Sequence, residues 1–117
     1  MSSELYGIVQ AKITTDDIQA FKVQAKKMKD ATENKIGTIS YDFFINEEKR
    51  EVFIVEKYAN DKAWLAHLGK FTQAEFIPKL LTMQELTSIE MLGPVTEEID
   101  EFFAKGGWAY NNYPLAM

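Results

Sequence analysis

Residues 5–13 (LYGIVQAKI) are apolar with Gln10 and Lys12 interleaved and with β-branched Ile8, Val9 and Ile13 among them, a pattern that predicts a strand. Thr14 and Asp17 follow at a spacing of three. A hydroxyl and a carboxylate so placed satisfy the backbone donors a first helical turn leaves open, so a helix is expected to start there. Ile18, Phe21, Ala25, Met28 and Thr32 then recur at steps of three and four, forming one face of an amphipathic helix that Asn34-Lys35 stops. Gly37 leads into 38–45, where Ile39, Tyr41, Phe43 and Ile45 alternate with Thr38, Ser40, Asp42 and Phe44; the first set is the expected buried face. The polar stretch 46–50 joins this strand to another at 51–58, which makes a hairpin.

Asn60 or Asp61 caps a helix carrying Ala63, Trp64, His67 and Leu68 on one face, and Gly69 is expected to interrupt it. Thr72 with Glu75 repeats the capping signature ahead of an apolar patch of Phe76, Ile77, Leu80 and Leu81. Pro78 inside that patch lacks a backbone donor, so the segment is expected to be kinked or split. A short strand at 87–92 ends at Gly93-Pro94, and Thr96 caps a last helix at 97–103 that Gly106-Gly107 ends. The order β-α-β-β-α-β is that of an α+β, ferredoxin-like domain, an antiparallel four-stranded sheet with helices on one face, followed by an extra C-terminal helix and tail. Residues 1–93 form the domain; 94–117 are the added helix and aromatic tail, expected to pack on the same domain or on its dimer partner. The tail (WAYNNYPLAM) carries Trp108, Tyr110 and Tyr113, and either docks on a partner or over a pocket, or frays.

The hairpin is apolar on both faces: Phe44 beside Phe43, and Phe53 and Val55 beside Val52 and Ile54. A second copy packed sheet to sheet gives the cover such a surface needs, so a two-fold homodimer is expected, with the tail of the same chain as the other possible cover.

The 117 residues amount to one domain. Cysteine is absent, which excludes disulfides, thiolate nucleophiles and sulfur-ligated metals and fits a reducing compartment. A formal charge of −5 argues against a nucleic-acid partner. Lys22, Lys26, Lys27 and Lys29 read as a solvated helix face rather than an anion site. No signal peptide or membrane span is visible, so a cytoplasmic location without membrane association is expected.

Phosphate-binding, zinc-protease and serine-hydrolase motifs are absent, and a single histidine cannot build a multi-histidine metal site; no metal site is expected. Glu97, Glu98, Asp100 and Glu101 read as the solvated acidic start of a helix. His67 is the side chain whose charge ordinarily changes near neutral pH; it is either a functional group or a half-buried histidine bonded to backbone. Tyr6, Tyr41, Tyr58, Phe43, Phe53 and Trp64 form an aromatic set whose plain reading is core. Gln10 and Asn60 are polar groups near strand ends, Asn60 more readily a cap than a ligand contact.

The run Glu56-x-Tyr58-x-Asn60-x-x-x-Trp64-x-x-His67, with the Gly-led stretch Ile36-Gly37-Thr38-Ile39-Ser40-Tyr41, resembles the antibiotic biosynthesis monooxygenase domain of the dimeric α+β barrel superfamily, over Leu5 to about Leu92. The resemblance implies a homodimer of ferredoxin-like protomers and a monooxygenase that oxidises a quinol or phenolic molecule with molecular oxygen, without flavin, haem or metal as cofactor. It gives His67 the role of base or hydrogen-bond partner. Tyr58, Trp64, Tyr41 and Phe43 become walls of a substrate pocket, and Gln10 or Asn60 orients a ring oxygen. Haem-degrading members need a further histidine; the position about ten residues after His67 is Ile77, so haem is rejected. A non-catalytic small-molecule-binding dimer and a cofactor-free isomerase or lyase are the alternatives.

Overall fold

A computed structural model describes residues 4–33, 35–73 and 75–117. Asn34, expected to stop the first helix, and the Thr72 side chain of the second capping signature lie outside the described residues. The elements run β1 (Leu5–Ile13), α1 (Ile18–Thr32), β2 (Thr38–Asn46), β3 (Glu51–Tyr58), α2 (Asp61–Gln73), α3 (Phe76–Leu81), β4 (Gln84–Leu92), α4 (Glu97–Gly106) and β5 (Asn111–Tyr113). The ferredoxin-like β-α-β-β-α-β core is present. The sheet, however, has five strands in the order β2-β3-β1-β4-β5, and β5 runs parallel to β4. The expected four-stranded antiparallel sheet is thus extended into a mixed one. A parallel neighbour requires a crossover, and α4 supplies it. Gly93 N donates to Tyr113 O at 2.9 Å, and Asn112 Nδ2 donates to Met91 O at 3.0 Å, so polar tail residues find partners at the strand edge.

Local chemistry sets the element ends. Asp17, rather than Thr14, caps α1: its carboxylate accepts from Ala20 N at 3.0 Å. Asn60 Oδ1 accepts from Ala63 N at 2.9 Å at the start of α2, which continues through Gly69 instead of breaking there. The break comes at Glu75, in the left-handed region at φ 64°, just before α3 and its Pro78. Gly37 sits at φ +90°, and a Cβ there would lie 2.6 Å from Ala63 Cβ; the turn into β2 and its approach to α2 both require glycine. Three of the α1 lysines are paired outward, Lys26 with Asp30, Lys22 with Glu47 and Lys29 with Asp42.

Central strand β1 pairs antiparallel with β3 and β4. Its odd-numbered positions face the helices, as do Val52, Ile54, Glu56 and Tyr58 of β3. In β2, Tyr41 is buried and Phe43 and Ile45 are partly so, but Ile39, expected in the same buried row, is 52% exposed. The β2–β3 register shifts between Thr38 and Ser40, and that irregularity turns Ile39 out.

The core falls into two clusters. One gathers Phe21, Met28, Tyr41, Val52, Ile54, Phe71 and Leu80; the other gathers Leu5, Tyr58, Trp64, Ile89, Met91, Ile99 and Phe103. Burying each large apolar side chain contributes about 1.5–3 kcal/mol. Val9 and Leu86 pack against both clusters and mark the seam between them. Added helix α4 is therefore part of the core. Its Phe102 and Phe103 lie 5.4 and 5.3 Å from Trp64 between ring centres. On the opposite sheet face, cross-strand neighbours Phe44 and Phe53 remain 60% and 43% exposed.

Candidate active site

The seam between the two clusters holds a hollow of about 90 Å³, partly open to solvent. Its walls are almost wholly apolar: Val9, Ile54, Leu86, Ile89 and Met91 from the sheet, Met28, Leu80 and Ile77 from α1 and α3, and Trp64, Phe102, Phe103 and Trp108 from α2, α4 and the tail. Trp108 is held by close approach to α4, since a Cβ on Gly106 would lie 2.4 Å from its ring atoms. Into this lining project two polar chain groups of note, Glu56 and Gln84, with the Tyr41 ring.

Glu56 occupies a position that strand alternation gives to the core, in one row with Val52, Ile54 and Tyr58. Opposite it on β1 stands Gly7, which has no side chain to fill the space; a Cβ there would lie 3.8 Å from Glu56 Oε2. Glu56 Oε1 accepts a short hydrogen bond from the Tyr58 hydroxyl. Burial raises the Glu56 carboxyl to about 7, against the opposing pull of the Tyr58 bond. The phenols of Tyr41 and Tyr58 are pushed well above their ordinary value, first by burial and then by the Glu56 charge. They stay protonated donors while the carboxyl changes state near neutrality.

His67 is 1% exposed and wedged among rings, 3.9 Å from Phe71, 5.0 Å from Tyr41 and 5.4 Å from Tyr58 between centres. Neither ring nitrogen has a hydrogen-bond partner among the described residues. Burial, assisted by the charge of Lys35, lowers it to about 3, so it is a neutral imidazole at physiological pH. It stands beside Tyr41 and Tyr58 and is not among the residues that line the hollow.

Of the residues singled out in the sequence, Tyr41 and Trp64 line the hollow, and Tyr58 reaches it through its bond to Glu56. Phe43 packs edge-on against Tyr41 at 5.5 Å. Gln10 is not brought to the site: it lies in the β1 row that faces away from the helices, paired with Phe53 and Ser88. Asn60 is occupied as the cap of α2. Glu56 was visible in the sequence only as part of a run; the signal that marks it is an acid in the buried register of a strand. Among the described residues no cluster of three or more His, Cys, Asp or Glu is placed to hold a metal ion.

The sequence model of the family described as antibiotic biosynthesis monooxygenase matches residues 5–79. The chain belongs to that family. No curated protein matches it. Among solved structures, MupZ from Pseudomonas fluorescens is similar over 100% of this chain and 90% of its own, at TM-score 0.78 and 18% identity. Rv0793 from Mycobacterium tuberculosis is similar over 81% and 98%, at TM-score 0.67 and 20% identity. An antibiotic biosynthesis monooxygenase structure is similar over 79% and 99%, at TM-score 0.66 and 16% identity. At such identities the likeness is one of fold. The antibiotic biosynthesis monooxygenase model ends at residue 79, and α4 and Trp108, beyond it, contribute to the walls of the hollow. No helix among the described residues is long and apolar enough to cross a membrane.

Proposed function

We propose that this protein is a monooxygenase that oxidises a phenolic or quinol substrate with molecular oxygen, using Glu56 as the proton acceptor. The observation that supports this most is a buried carboxyl, poised near neutrality, on the wall of an apolar hollow. A general base works best when its pKa lies near the operating pH, and Glu56 meets that condition where His67, at about 3, does not. In this reading the substrate ring lies among Trp64, Tyr41 and Phe103, with its hydroxyl at the Glu56 carboxylate. Proton removal leaves an electron-rich phenolate that gives electrons to dioxygen directly. For a phenol bearing hydrogen at the para carbon, one oxygen atom enters as the quinone carbonyl. The other leaves as water with two hydrogens, and the ring supplies every electron. The apolar walls limit water's access to the anion, and the proton taken up by Glu56 leaves as one of the two hydrogens of the product water, which frees the carboxylate.

The test is oxygen uptake across a panel of hydroquinones and polycyclic phenols, with heavy-isotope dioxygen to follow the inserted atom. Glu56→Gln should lower turnover by roughly 10²–10⁴-fold. Unchanged turnover in that variant contradicts the assignment. A second reading, cofactor-free isomerisation, needs only the proton transfer that Glu56 offers, and it predicts full turnover under nitrogen.

The homodimer is part of the same proposal. Phe44 and Phe53 form an exposed cross-strand pair on the helix-free face, continuous with Ile8 and Val55, and a second copy of that face is its own complement under two-fold symmetry.

A further inference from the structure

The hollow has a second polar end. Gln84 opens β4, is 4% exposed, lines the hollow, and its Oε1 has no hydrogen-bond partner among the described residues. An unpaired buried acceptor is destabilising, and a donor delivered by a ligand removes that cost.

Register fixes where this acceptor stands relative to Glu56. Gly7 of β1 pairs with Glu56 on one side and Met91 on the other, whereas Gln84 pairs with Ile13 at the far end of the same strand. From the Gly7 row to the Ile13 row is roughly 20 Å at the ordinary rise of a strand. Between them the wall is hydrocarbon: Val9, Ile89 and Leu86 from the sheet, Met28, Ile77 and Leu80 from the helices. A compact ring held at Glu56 would leave the Gln84 end without a partner. Along β1 the lining carries Glu56 toward one end and Gln84 toward the other, with apolar side chains between them.

We propose that the site takes an elongated amphiphile: a phenolic head at Glu56, a hydrocarbon arm along the β1–β4 seam, and a hydrogen-bond donor at the tip of the arm, hydroxyl or amide N–H, read by Gln84. This rests on the reading of the Glu56 hollow as a substrate site and adds the substrate's length and its far-end chemistry. Apolar contact along the arm supplies affinity in proportion to buried length, and Gln84 supplies the discrimination between a polar and an apolar tip.

The experiment is calorimetric binding, under nitrogen, of meta-alkylphenols of increasing chain length, which keep the para hydrogen, each with a terminal methyl or a terminal hydroxyl. Affinity should rise with chain length. At the matching length the hydroxyl-tipped probe should bind the wild-type protein roughly tenfold more tightly than its methyl twin. Gln84→Leu should abolish that preference; Gln84→Met serves if the leucine variant does not fold. No preference at any length in the wild-type protein overturns the proposal, and so does a preference that survives loss of Gln84. Failure of the two readings is separable. Oxygen uptake without a tip preference removes only the long-substrate inference. A tip preference with no oxygen uptake removes only the oxygenase. Absence of binding by every probe overturns both.

Discussion

Tyr58 donates its phenolic hydrogen bond to the carboxylate of Glu56 from two positions further along the same strand, with both side chains on the helix-facing side. Strand alternation makes this pairing possible: residues i and i+2 share a face, and here that face is the core. One donor offsets part of the desolvation of a buried carboxyl, and burial still dominates.

Tyr58→Phe removes that donor. Since the bond holds the Glu56 carboxyl down, its pKa should rise above the present value of about 7. The protein should lose about 1–3 kcal/mol of stability above that range, where an ionised carboxylate is left unpartnered. A pH–rate profile whose acidic limb moves to higher pH in the variant is the expected result; an unmoved limb means the bond does not tune the group.

Glu56 and His67 pull stability in opposite directions with pH. Glu56 titrates at about 7 folded against 4.5 ordinarily, so the folded state holds the extra proton between those values. Its contribution is fully present below 4.5 and is lost as pH rises to 7. That loss is on the order of 3 kcal/mol. His67 titrates at about 3 against 6.5, so its contribution is present above 6.5 and is lost as pH falls toward 3. In the window from 4.5 to 6.5 the two slopes oppose, and wild-type stability should be nearly flat with respect to this pair. Denaturant melts of His67→Leu should show stability falling as pH rises through that window, and Glu56→Gln should show the reverse slope. Parallel curves for the two variants contradict the account.

Much of this was legible in the chain. The bounds of β1 and β3 and the amphipathic face of α1 follow directly from periodicity, because each buries one regular row. Three features were not legible, each for a physical reason. Ile39 belongs to the apolar row by count, but a register shift between Thr38 and Ser40 turns it to solvent, and such a shift leaves no mark in residue type. β4 begins at Gln84 rather than Thr87 because polar Gln84 is buried against the hollow, where an apolar residue is expected. β5 is three polar residues whose pairing depends on the crossover through α4. The candidate site divides along the same line: the aromatic wall is visible as aromatics, whereas the buried place of Glu56 is not, because acids are mostly found at the surface.

Gly37→Ala places a Cβ against Ala63 in a backbone region that alanine avoids. A loss of about 1–3 kcal/mol is expected, measured by thermal or urea unfolding. Because Ala63 opens α2, the variant should also weaken ligand binding at Trp64; a neutral substitution would show that the β2 entry is looser than the geometry implies.

Phe53→Glu should disrupt pairing through the helix-free sheet face, where Phe44 and Phe53 are exposed. Light scattering should give a dimer for the wild-type protein at micromolar concentration and a monomer for the variant. A wild-type monomer contradicts the proposed assembly.

Everything proposed for the hollow depends on Glu56 being a buried carboxyl that changes protonation near neutral pH. Carbon-13 NMR titration of the glutamate side-chain carboxyls, with Glu56→Gln to assign the resonance, tests it most directly. One carboxyl should titrate at about 7 and be absent from the variant. A Glu56 resonance titrating at the ordinary value of 4.5 would contradict it.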